Sequence, residues 1–125
     1  MTLWVAGREI RRVPLDFDWP IGITWPGTYP VTPESIKWKG SKDNYWEMYH
    51  KYKIDSKEVQ PPKGKGFQLW ETVDEGSPIT PVFKSKDELA EFCERKRVSL
   101  FGDAIATKEE WLQFFAGKRV GNIIP

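Results

Sequence analysis

The sequence holds one cysteine, one histidine and almost no net charge, and each shortage removes a class of explanation. With Cys93 alone, neither an intrachain disulfide nor a thiolate zinc cage can form, which fits a reducing compartment. His50 sits in a Lys/Tyr-rich stretch rather than beside a serine or cysteine, and reads as a partly exposed bystander. Nineteen Lys and Arg against eighteen Asp and Glu give a formal net charge of +1, so no global basic field draws the chain onto nucleic acid. No apolar run approaches the roughly 20 residues of a membrane span. The opening "MTLWVAGREIRR" carries its charges after a very short apolar run, the reverse of a secretory start. P-loop, dinucleotide and zincin motifs are missing too, and no cofactor or metal is expected.

What is abundant is tryptophan and proline, seven and ten among 125 residues. Trp buries a large area and carries an N–H donor, so a surplus fills a small core or lines a pocket or interface. A chain of this length fits one domain spanning residues 1–125, with a single hydrophobic core. Residues 3–13 read as a β-hairpin turning at Ala6-Gly7, with Pro14 confining the second strand to an edge or ending it. Residues 14–33 hold five prolines, which forbid a regular helix. Phe17, Trp19, Trp25 and Tyr29 pin this loop over the core.

The stretch "SKDNYWEMYHKYK" predicts a helix of about three turns, with Tyr45, Met48, Tyr49 and Tyr52 at helical spacing and Asp43 as its cap. "GFQLWETV" alternates, Phe67 and Leu69 on one face, Gln68, Trp70 and Thr72 on the other, as a strand does. Ser85 and Glu88, then Thr107 and Glu110, are spaced as capping boxes for two amphipathic helices, the second stopped by Gly117. Between them "RVSLFG" supplies one more short strand. The fold class is therefore α+β: a small antiparallel β-sheet with a Pro/aromatic-rich loop and two capped C-terminal helices.

Candidate site residues gather in two places. Asp16 and Asp18, two apart in "LDFDW", share a side if the segment is extended, and with Glu71 and Glu75 they are the raw material of a metal-dependent hydrolase. Each also suits the plainer task of capping a turn. The Lys/Tyr-rich segment 37–65 interleaves lysines with aromatics, the ingredients of a single-strand nucleic-acid platform, or equally of a helix with tyrosines inward. In "QLWETVDEGSPITPVF", Gly76 tolerates a positive φ for the turn, and Pro78 and Pro81 stiffen the chain beyond it. A loop that rigid loses little entropy on binding.

"VPLDFDWP" (13–20) and "GKGFQLWETVDEGSPITPVF" (64–83), followed by "DELAEFC" and "FGD", resemble a family of uncharacterised small proteins from tailed bacteriophages. Longer members of that family carry C-x-x-C-G-x-G pairs like a DnaJ zinc finger between the two blocks. Here residues 34–63 fill that place without a cysteine, so no zinc module carries over. Asp74 and Thr80 stand where the family usually has serine. The resemblance implies a non-catalytic protein acting in the cytoplasm of the infected host against a bacterial immune system. Its partner is either a nucleotide-like signal, which it sequesters, or a defence protein. The expected ligand- or partner-binding residues are Asp16, Asp18, Trp19, Trp70, Glu71, Thr72, Glu75, Ser77 and Pro78.

Overall fold

A computed structural model of the chain describes residues 7–26, 32–52, 60–72, 76–101 and 104–117. Its fold is α+β. Strand β1 (Arg8–Val13) pairs antiparallel with β2 (Gly66–Glu71), Ile10 opposite Leu69 and Val13 opposite Gly66. On its other side β2 pairs antiparallel with the short β3 (Ser77–Pro78), giving the order β1-β2-β3. Pro78 is tolerated because β3 is an edge. β1 stops at Val13, one residue before Pro14. The hairpin expected over residues 3–13 falls partly outside the described residues; of it, Gly7 has the positive φ of +89°.

Because side chains alternate along a strand, β2 serves two layers at once. Leu69, with Ile10 and Phe67, packs on a core formed by Leu89, Cys93, Leu100, Trp111, Phe114 and Phe115. Trp70, with Val13, packs on a second core of Phe17, Trp19, Ile23, Trp25 and Met48. The first layer is made by two helices, α2 (Lys86–Arg95) and α3 (Lys108–Phe115). Ser85 accepts from the Glu88 N–H, and Thr107 and Glu110 form a reciprocal capping box. Between the helices runs a second small sheet, β4 (Ser99–Phe101) against β5 (Ala104–Ile105). The sequence pointed to β4 but not to the two-residue β5. Arg8 ties the two sheets, donating from Nε to the Ser99 carbonyl and from Nη2 to its hydroxyl, both at 3.0 Å.

The second layer is the Pro/aromatic loop and α1 (Lys42–Lys51). Phe17, Trp19 and Trp25 are buried in it, and Tyr29 lies outside the described residues. The cap of α1 is Ser41 rather than Asp43: the Ser41 hydroxyl accepts from the Asn44 N–H at 3.0 Å, leaving Asp43 in the first turn beside the helix N-terminus.

Candidate functional site

The two blocks of the sequence, 13–20 and 64–83, meet in space. Gly64 and Gly66 lie against Val13 and Pro14 so closely that a Cβ on Gly66 would stand 2.8 Å from the Val13 carbonyl and collide with the Val82 side chain. Gly76, with φ +92°, lets the chain return from β2 into β3. The returning segment then holds the loop by its backbone. The Trp25 N–H donates to the Gly76 carbonyl at 2.7 Å, and the Gly22 N–H donates to the Pro78 carbonyl at 2.8 Å.

The candidate aromatics are built into this junction. Trp70 is fully buried, and its indole N–H donates to Gln68 Oε1 at 2.8 Å. Gln68 Nε2 donates in turn to the Thr80 carbonyl at 2.8 Å, and the Thr80 hydroxyl accepts from the Leu69 N–H and donates to the Pro81 carbonyl. Trp19 is 2% exposed and donates to the Ile23 carbonyl at 2.8 Å. Neither indole face is open to a ligand. Pro78 is buried, Ser77 half-buried in β3, Glu71 half-buried at the end of β2, and Thr72 exposed just beyond it. Glu75 lies outside the described residues.

Asp16 and Asp18 do not lie on one extended segment, although both are exposed and the charges of both act on Lys51 and Tyr52. A turn closed by the Phe17 N–H and the Pro14 carbonyl at 3.0 Å breaks the extended path, burying Phe17 and exposing Leu15. Asp18 anchors α1: it accepts from Lys51 Nζ at 2.8 Å and from the Tyr52 hydroxyl. Partial burial raises its pKa, but the bonds from Lys51 and Tyr52 outweigh that and hold the carboxyl below its ordinary value. Burial, followed by the bond to Asp18, pushes the Tyr52 phenol upward. Burial alone pushes the Cys93 thiol up to about 12, far from a reactive thiolate. Among the described residues, no three His, Cys, Asp or Glu side chains come together to hold a metal ion.

The Lys/Tyr segment turns its aromatics largely inward. Tyr45 and Met48 are buried, Tyr49 and Tyr52 partly so. Among the described residues, two of its lysines are engaged, Lys42 with Glu34 at 2.9 Å and Lys51 with Asp18. His50 is exposed beside Trp46 and Tyr49.

Two surface features escaped the sequence reading. Leu15 and Ile21 are each 50% exposed in a loop whose neighbouring aromatics are buried. In addition, a groove of about 410 Å³ runs between β1 and residues 60–63, with Arg11, Arg12 and Lys63 on its walls. The adjacent Arg11-Arg12 on a strand stopped by Pro14 was the available signal for the groove. Comparison of the chain with protein-family models, with curated proteins and with solved structures found no match in any of the three.

Proposed function

We propose that the protein is a non-catalytic, phage-encoded binding protein that counters a bacterial immune system by engaging a defence protein directly, in the cytoplasm of the infected host. The resemblance of its two blocks to small tailed-phage proteins supplies the setting. The observation that carries the binding mode is the division of side chains in residues 14–26. Phe17, Trp19, Ile23 and Trp25 point inward, while Leu15 and Ile21 stand half-exposed at the tips of two turns. Leu15 is the second residue of the turn closed between Pro14 and Phe17. Ile21 is the second residue of one closed between Pro20 and Ile23, with Gly22 at φ +82°. Anchored by buried rings, both aliphatics are presented without the ordering cost of a mobile loop. That suits insertion into shallow pockets of a protein, with the exposed Asp16 carboxylate at the rim. Sequestration of a base between aromatic faces is less well served, because Trp19 and Trp70 spend theirs in the core.

The test uses tagged protein expressed in bacteria carrying defined defence systems. The wild type is expected to co-purify one defence protein and to restore plaque formation. Leu15→Ser with Ile21→Ser should lose both effects while melting at nearly the wild-type temperature, since both side chains are exposed. A double variant as potent as the wild type, or native mass spectrometry that finds a small molecule retained instead of a protein, would overturn the reading.

A further inference from the structure

We infer that the groove beside β1 is a second binding surface, which accepts an extended acidic segment of a partner protein as an added β-strand. Among the described residues β1 is an edge of its sheet, and the hydrogen-bond phase tells which of its groups face outward. The Thr72 N–H donates to the Gly7 carbonyl at 3.2 Å, so Gly7 and Thr72 form a hydrogen-bonded pair. Antiparallel alternation then makes Glu9, Arg11 and Val13 the residues bonded to β2. The main-chain N–H and C=O of Ile10 and Arg12 point the other way, into the groove. The reciprocal bonds between Phe67 and Phe83, and the bond from the Ile79 N–H to the Leu69 carbonyl, agree with this phase, since the partners of Arg12 and Ile10 on β2 turn their own backbone toward the β3 side. Among the described residues, no backbone group pairs with that outer edge.

An edge that alternates donor and acceptor matches a peptide backbone, which supplies both, and not a phosphate, which only accepts. The walls choose the partner's charge. Arg11 lies over the Trp70 ring at 4.3 Å and Arg12 over the Phe67 ring at 4.0 Å. Arg12 is further fixed by donating to the Gly66 and Lys65 carbonyls. Both guanidinium groups are thus held in place largely by rings and carbonyls. Among the described residues the one carboxylate on either is that of Glu9, at 3.4 Å from Arg11. Lys63, on the facing wall, has no ion pair among the described residues. Among the described residues, three cations against one carboxylate favour an acidic strand. They also oppose pairing of two β1 edges, which would set arginine against arginine.

The experiment titrates the full chain with a fluorescein-labelled peptide alternating glutamate and valine, about eight residues long. Controls are the lysine/valine peptide, the acidic peptide N-methylated on alternate residues, and ATP as a competing anion. Saturable, salt-sensitive binding of the acidic peptide is expected, with slowed exchange of the Ile10 and Arg12 amides by NMR. The lysine and N-methylated peptides should not bind. Lys63→Glu, an exposed change that leaves the fold intact, should weaken binding about five-fold. Arg11→Glu should weaken it further, provided its melting temperature is kept. Equal binding of the N-methylated peptide, displacement by ATP with no amide protection, or no binding of the acidic peptide would each overturn the inference. Leu15→Ser with Ile21→Ser should leave peptide binding unchanged, so this surface and the turn-tip surface fail or succeed separately.

Discussion

Two tryptophans with opposite hydrogen-bond states allow a sharp test of what holds the core. Trp70 and Trp111 are both fully buried. The Trp70 indole N–H donates to Gln68 Oε1 at 2.8 Å, whereas Trp111 Nε1 has no partner among the described residues. Substitution by Phe deletes the same atoms at either position, so the transfer and cavity contributions are similar in kind. The polar contributions differ in sign. Trp70→Phe leaves the Gln68 oxygen buried without its donor, which costs about 1–3 kcal/mol. Trp111→Phe removes an unpaired donor and recovers about 1–3 kcal/mol. Even at the lower ends, Trp70→Phe should be the more destabilising by about 2 kcal/mol. For a domain of this size that is a gap in melting temperature of roughly 8 °C. Calorimetry and urea unfolding measure it, with an unchanged m-value showing that the unfolded state is comparable. Equal losses, or a larger loss at Trp111, would refute the assignment of Gln68 and Trp70 as a mutually satisfied pair.

Gly66→Ala forces a methyl group against the Val13 carbonyl and the Val82 side chain, and should destabilise by at least about 1–3 kcal/mol, read as a lowered urea midpoint. Gly7→Ala, where a Cβ meets nothing within 4 Å but φ is +89°, isolates the cost of backbone strain for comparison. Asp18→Asn addresses pH. A carboxyl held below its ordinary value stabilises the fold above the unfolded pKa of about 3.9, and that contribution fades as pH falls through the folded value. Wild type should therefore melt above the variant at pH 7, with the gap closing below about pH 4; a gap that persists at pH 2 would contradict the role given to Lys51 and Tyr52.

Local signals were the legible ones. Ser85 and Thr107 announce α2 and α3 because a cap lies within four residues of its partner. The alternation of residues 67–72 gave β2 its two faces. What alternation could not tell is that both faces are covered, since this depends on layers contributed by residues far away in sequence. Trp70 therefore read as a site residue when it is the centre of a core. Gln68, two residues before it and on the same face, was the visible hint that a buried indole had its acceptor at hand. Asp18 was legible as a carboxylate and not as a clamp, because Lys51 and Tyr52 come from a helix more than 30 residues on. Asp43 lost the cap to Ser41, which stands one residue before the helix and so has the extended backbone a cap requires. β3 and β5, two residues each, are too short for any periodicity to show.

The bonds from Trp25 to Gly76 and from Gly22 to Pro78 close a loop of about fifty residues. Closing a flexible loop costs free energy only with the logarithm of its length, about 0.6 kcal/mol for each doubling. Lengthening the connection that joins the two blocks therefore adds little to the cost of closing their junction. What that chain must supply is a lid: Met48 and Tyr52 from α1 and its C-cap now cover the aromatic layer, and Lys51 fastens it. The aromatic layer is thus sealed by α1 and its C-cap rather than by the length of the connection that carries them.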